Sequence, residues 1–349
     1  MPRKLISGTL RCMWWRYLTS MVLFVSTAFA QDRFVAVGSN VFRVSAENVL
    51  TNVLQSDPVE TDLRFGSSKP RISADQQWIA YIKDNKAWLR PAGQGKPIQL
   101  ATGKDSDAQH LSIKVFLVGF TPDSTQLMYS VAPGKDECPD CRRPAPLRRQ
   151  ADYGFFLYTM REHRAVKMAV PESTRVLDIA SSNRLFITNV GAYGDVIGYM
   201  DLPSHSFAAL PERCASAVNC SRADNGVATC THIGNDHSQI VECDSRSGSE
   251  TTFSPQGSCI TEFHRPSRSP AATHLAYLQL QDRCNTLKTV LWIDQKPVFQ
   301  CVKADDYSWV DENRLLVQCD KEFVAIDVAG TKLGSTARKP EDMSESEQR

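Results

Sequence analysis

After residue 30 the chain has no apolar run near the ~20 residues that a membrane-spanning helix needs, so the product is expected to be soluble. Charge of one sign is missing as well. Against 40 Lys and Arg stand 39 Asp and Glu, which removes the basic excess on which nucleic-acid binding rests. No Gly-x-Ser-x-Gly elbow occurs, and no α/β segment could carry one, so serine hydrolysis is set aside. Helical periodicity is nearly absent too. Short alternating apolar runs between turn residues replace it, which points to an all-β fold.

What is present begins with the leader. Arg3, Lys4, Arg11 and Arg16 precede any acid, an apolar run follows from about Met21 to Ala30, and it ends in Ala28-Phe29-Ala30. That pattern is read as a signal peptide over residues 1–30, cleaved after Ala30, and it places the product in the periplasm or outside the cell. Without the four leader cations, 36 basic residues face 39 acidic ones over 319 residues, a length that suits one large all-β domain or two smaller ones.

Ten of the eleven cysteines follow the leader: Cys138, Cys141, Cys214, Cys220, Cys230, Cys243, Cys259, Cys284, Cys301 and Cys319. An even count in an exported chain argues for disulfides. The connectivity stays open, although Cys230 and Cys243 flank a Gly-Asn-Asp turn as facing hairpin positions would. Cys138-x-x-Cys141 lacks the strand-then-helix setting of a redox couple. It also lacks the second pair of a zinc site, so a disulfide in a loop is the reading for it.

One unit repeats. "ISADQQWIAYI" (72–82), "FTPDSTQLMYS" (120–130) and "RSPAATHLAYL" (268–278) share a turn followed by an apolar strand. Looser copies are "IASSNRLFITN" (179–189) and "WVDENRLLVQC" (309–319). Strand onsets at Ile79, Leu127, Leu185, Leu275 and Leu315 are separated by 48, 58, 90 and 40 residues. The interval of 90 has room for one further copy, near residues 226–232. A strand-built period of this length is the mark of a β-propeller blade. The expectation is a single propeller over residues 31–330, of about seven four-stranded blades or alternatively six. The circle would close where residues 34–45 meet 321–328. The longest single step places an insertion near 131–152, and residues 331–349, polar and apolar-poor, are expected to be disordered.

The layout resembles the "SPDG…IAY" repeat of TolB-type propellers, also present in the propeller halves of prolyl oligopeptidases and dipeptidyl peptidases. Ser73-Ala74-Asp75 with Trp78-Ile79-Ala80-Tyr81, Thr121-Pro122-Asp123 with Leu127-Met128-Tyr129, and Ser269-Pro270 with Leu275-Ala276-Tyr277 carry the resemblance. The family's glycine after the Asp is absent from every copy. Residues 31–69 are too few to build the N-terminal α/β domain of TolB, and a hydrolase domain like that of the peptidases is not expected. The resemblance implies architecture and says almost nothing about activity.

No residue is assigned to catalysis, and no metal or cofactor is assigned. His232 and His237 flank the proposed hairpin turn and read as exposed turn residues, since zinc needs three or four converging ligands. Asp305 and Asp306 are the candidate ligand-facing acids, because loops at one rim of a propeller line the channel mouth. Arg142, Arg143, Arg148 and Arg149, interleaved with Pro144 and Pro146, form an extended arm suited to an acidic partner. The expected function is a non-catalytic, monomeric binding platform for an envelope protein or a small ligand. Two alternatives stay open: a lactonase- or cyclase-like enzyme with a metal or carboxylates in the channel, and an accessory propeller regulating another exported enzyme.

Overall fold

The structure is a computed structural model. It describes residues 32–339 apart from 63–64, 105–111, 134–152, 172–173, 192–193, 218, 223–226, 234–237, 254–261 and 282–287. Within the described residues the strands fall into seven antiparallel sheets that follow one another along the chain. Blade 1 has three strands, Arg33–Val37, Asn40–Val44 and Leu50–Gln55. Blades 2 to 7 each contribute four consecutive strands, blade 3 carrying two more from an earlier segment, and open with Arg71–Ile72, Ile113–Phe120, Thr174–Ser181, Asn219–Arg222, Glu262–Arg268 and Ala304–Trp309. First strands of successive blades touch one another around much of the ring, so they line its axis.

The apolar half of each sequence repeat is the second strand of its blade. These strands are Trp78–Lys83, Gln126–Pro133, Arg184–Gly191, Leu275–Gln281 and Arg314–Cys319. The sixth copy, expected near 226–232, is Val227–Ile233. A second strand is packed on both faces by neighbouring blades, which is why it reads as a nearly unbroken apolar run. In Gln126–Pro133 the six interior residues are all buried. The outermost strand meets water, and Arg164–Met168 is exposed at four of its five positions.

Burial is divided into seven slabs, one at each junction between blades. The seventh slab decides that the ring closes. Val35, Val37, Phe42 and Val44 of blade 1 pack on Leu316, Phe323 and Ala325 of blade 7, with the Phe42 and Phe323 rings 4.6 Å apart. The N-terminal strands therefore meet the last blade as expected, by face-to-face packing and without sharing a sheet.

The turn before each second strand shows why its residues recur. The hydroxyls of Ser73, Thr121 and Ser269 each accept the backbone N–H five residues on, from Trp78, Gln126 and His274, at 2.9–3.0 Å. Where the resembling family has glycine, this chain has Gln76, Ser124 and Ala272, with φ of 63°, 59° and 60°. Left-handed backbone costs a non-glycine residue about 1 kcal/mol. Two of these side chains do something a glycine cannot. Gln76 Oε1 accepts the N–H of Phe34 in blade 1 (2.7 Å), and Ser124 Oγ accepts the N–H of Asp75 in blade 2 (3.1 Å).

Two expectations need correction. Cys230 and Cys243 do not face each other: Cys230 is opposite Val241, and Cys243 is opposite Ala228. The hairpin centre lies one residue earlier than the symmetric guess, which makes the two cysteines diagonal neighbours on one face. Cys230 bonds instead to Cys220, directly opposite it on the first strand of blade 5. Cys243 bonds to Cys214 in the short helix Glu212–Ala215. A third disulfide, Cys301–Cys319, ties the last strand of blade 6 to the second strand of blade 7. Cys138, Cys141, Cys259 and Cys284 lie outside the described residues, as does the expected insertion beyond Pro133. The second correction concerns the C-terminal segment. Lys332–Ala337 is the fourth strand of blade 7, and the Arg338 side chain is buried against the carbonyls of Cys319 and Asp320. An apolar-poor sequence can pair here because an outermost strand needs backbone partners more than a buried face. Residues 340–349 lie outside the described residues.

Glycine substitution separates the two uses of the left-handed position. Ala272→Gly is expected to raise stability by up to about 1 kcal/mol, the strain relief being partly offset by unfolded-state entropy. Gln76→Gly and Ser124→Gly are expected to lower it by about 1 kcal/mol through loss of the bond between blades. Urea midpoints of the three variants check this, and equal gains in all three would remove the role given to Gln76 and Ser124.

Candidate functional site

The linker between blades 1 and 2 runs along the axis. Its strands Thr61–Asp62 and Gly66–Ser67 extend the blade 3 sheet from the inner edge, where Ser67 pairs with Leu117 of the first strand. Ser68 Oγ closes this hairpin on Pro58 O and on Glu60. Gly66 (φ 121°) fits because a Cβ there would stand 2.6 Å from Leu117 O. The linker then delivers Lys69 and Arg71 to the ring centre.

Asp306 is the hub of that centre. Its Oδ2 accepts Lys69 Nζ at 2.5 Å and the Gly38 N–H at 2.8 Å, and its Oδ1 accepts Arg265 Nη1 at 2.7 Å. Blade 7, blade 1, the linker to blade 2 and blade 6 are thereby joined through one carboxylate. Burial pushes this carboxyl up, but the Lys69 and Arg265 charges with the hydrogen bonds from Lys69 and Gly38 outweigh it. The net effect holds Asp306 below its ordinary 3.8. Lys69 is itself pulled below its ordinary value, by burial first. The pull of Asp306 opposes that shift, while Arg265 and Arg71 add to it as neighbouring cations. Arg71 is lowered by burial, with Asp178 and Asp306 acting against the shift. Among the described residues the cluster thus sets three cations against two carboxylates.

Bulges aim these side chains. The ladder slips at Val176/Asp178 in blade 4, at His264/Ser267 in blade 6 and at Ala304/Asp306 in blade 7. An extra residue in a strand re-aims its neighbours. Arg265, inside the blade 6 bulge, has a φ of 52°. Blade 3 slips at Leu117/Gly119, and a Cβ on Gly119 would lie 3.0 Å from Asp178 Oδ1. Between blades 2, 3 and 4 this leaves a cavity of about 200 Å³ whose walls include Arg71, Gly119, Thr121, Pro122 and Asp178.

The two candidate acids part company. Asp306 faces the axis and is buried, whereas Asp305, next to it on the strand, ion-pairs with Lys303 (3.3 Å) and Arg338 (3.7 Å). Arg142, Arg143, Arg148 and Arg149 lie outside the described residues. His237 does too, and His232 is half-buried in the second strand of blade 5. Lys69, Arg71, Asp178 and Arg265 were not picked out from the sequence. A usable signal existed: Arg71, Asp178, Arg265 and Asp306 each lie seven to ten residues before a strand onset. There a first strand facing the axis should otherwise be apolar. Among the described residues no group of three His, Cys, Asp or Glu is placed to hold a metal ion.

No protein family and no curated relative matches the chain in sequence. Solved structures similar to it include TolB from Acinetobacter baumannii, at 12% identity and a TM-score of 0.47 over 87% of this chain and 63% of that one. A protein assigned as TolB from Agrobacterium tumefaciens shares 12% identity at a TM-score of 0.45, over 86% and 90% of the two chains. Porphyromonas gingivalis dipeptidyl peptidase 4 shares 8% at 0.43, over 85% and 48%. This chain is a seven-bladed β-propeller. Its own seven sheets and seven inter-blade slabs establish that fold. It spans less than two thirds of the Acinetobacter protein's length.

Removing the hub leaves Lys69 and Arg265 without their carboxylate. Asp306→Ala is expected to cost about 3 kcal/mol or more, since breaking a buried ion pair strands a charge. The pH dependence follows from the direction of the shift. A carboxyl held low in the folded state contributes fully above its unfolded pKa, and the contribution disappears as pH falls through the lower folded value. Urea midpoints of wild type and Asp306→Asn should therefore differ at pH 7 and converge as pH falls below 3.8. A constant gap down to acid pH would show that the carboxylate charge is not what binds the cluster.

Proposed function

We propose that this chain is an exported, monomeric, non-catalytic binding propeller, whose axis receives a ligand or a segment of an envelope partner. One observation carries the reading: a rigid ring holds a charged cluster on its axis, with cations in excess, beside a cavity. Asp306 already accepts three donors, which leaves it poorly suited to serve as a base or a metal ligand. That weighs against the alternative of a channel enzyme. The accessory-propeller alternative would use the same surface toward an exported enzyme as its partner. The leader over residues 1–30 and three disulfides among the described cysteines support an oxidising compartment. Closure of the ring within one chain supports a monomer.

Two measurements test the reading. Residues 1–30 fused to a reporter active only outside the cytoplasm should export it, and the purified chain should show its six described disulfide cysteines as non-titrating thiols under denaturing, non-reducing conditions. A cytoplasmic reporter or a fully reduced chain would overturn the compartment. For binding, a photo-crosslinker at Pro122, exposed on the cavity wall, is compared with one at Val166 on the outer strand of the same blade. A defined product from Pro122 alone is expected in native envelopes. Equal products at both positions, or none at either, would count against recognition at the axis.

A further inference from the structure

The cations of the axis are not used equally. Lys69 and Arg265 donate to Asp306, but Arg71 has no such partner. Its Nε is buried without a hydrogen-bond acceptor, and no direct ion pair holds the guanidinium among the described residues. Asp178 and Asp306 act on it only electrostatically. Arg71 as a whole is half-buried, but a buried guanidinium N–H normally finds an acceptor, and an unfilled one calls for an explanation. Arg71 lines the cavity of about 200 Å³, large enough for a small ligand group as well as water. Lys69 stands within electrostatic range of it and spends one of its three N–H donors on Asp306.

Two carboxylates oppose these cations. Asp178 lines the same cavity, with its Oδ1 turned to the Ile179 N–H at 2.8 Å. Asp306 already accepts from Lys69, Arg265 and Gly38. Neither carboxylate fills the Arg71 fork. A planar or tetrahedral oxyanion would pair bidentately with the guanidinium and offset the crowding of three cations.

We propose that Arg71 anchors an oxyanion-binding site on the propeller axis, taking the carboxylate or phosphate group of a ligand that enters the channel. This deepens the binding role proposed above and rests on it. A carboxylate would come from a peptide terminus or acidic side chain, a phosphate from a phosphorylated small molecule. The chemistry recognised is the same.

The test is calorimetric titration of the purified protein with phosphate and with citrate, against chloride at equal ionic strength. Saturable binding of at least one oxyanion is expected. Arg71→Gln should weaken it about tenfold or more, and Arg71→Lys should weaken it less. Asp178→Asn should tighten it several-fold by removing a repelling charge from the same cavity, an effect of opposite sign that loss of folding cannot imitate. Unliganded Arg71→Gln should melt at or above the wild-type temperature, because a crowded cation has gone. Response to phosphate alone or to citrate alone supports the site and identifies the source of the oxyanion. Wild-type binding retained in Arg71→Gln, or a wild-type response no greater than that to chloride, overturns it. If oxyanions fail to bind while Pro122 still crosslinks to a defined partner, only the anion site is lost. If both fail, the binding role falls with it.

Discussion

Closing a ring of blades is the constraint on which this molecule depends. Six junctions form between consecutive segments of chain, but the seventh must join residues some 270 positions apart: Gly38 N–H to Asp306 spans 268, and Ser308 Oγ to Ala36 O spans 272. Closing so long a loop carries an entropic cost that the contacts at the junction must offset. Here the terminal strands do not share a sheet, so no ladder of backbone hydrogen bonds contributes. The junction relies on the Phe42–Phe323 slab, on Arg314 reaching Ser45 O and Asn48 Oδ1, and on the buried Asp306 carboxylate. Of these only Asp306 also reaches blade 6 and the linker into blade 2.

The same logic explains the departures from the resembling turn pattern. A glycine in the left-handed position would relax each turn but leave it isolated. Gln76 and Ser124 carry the strain and gain a hydrogen bond to the preceding blade. At the blade 6 turn the direction is reversed. Ala272 has no polar atom to offer, and Glu312 of blade 7 reaches back to Ser269, Thr273 and the Ala271 N–H (2.7 Å). Burial raises the Glu312 carboxyl, but these hydrogen bonds prevail and bring it to about 2. Stiffness between blades is thus assembled from local turn chemistry, one junction at a time.

Much of the fold was legible because the repeat is local. A hydroxyl five residues before a buried strand is a short-range signal, and Ser73, Thr121 and Ser269 give it plainly. Spacing pointed to about seven blades, with six left open, and to closure by the terminal segments. Register did not: the Cys230–Cys243 guess failed by a single residue of hairpin centre, which no alternation pattern specifies. The last strand was missed because Lys332–Ala337 pairs through its backbone and has little apolar sequence to show. The site was less legible still. Asp306 was noticed, but as a loop acid. Its burial, and its convergence with Lys69, Arg71, Asp178 and Arg265, depend on bulges in separate blades, and one sequence does not display a bulge.

Placing charge at the closure has a consequence for how such a ring behaves. Apolar slabs close the junction without regard to what occupies the channel, but the Asp306 cluster is open to the axis: Arg265 keeps 52% of its side-chain surface exposed while holding a carboxylate that is 5% exposed. A group that relieves the repulsion among Lys69, Arg71 and Arg265 acts on the bonds that join blades 6, 7 and 1 to the linker of blade 2. Anything bound there by the folded state alone stabilises it by mass action. Occupancy of the axis and integrity of the ring are therefore linked, because the residues that would recognise a ligand share their electrostatics with the residue that completes the circle.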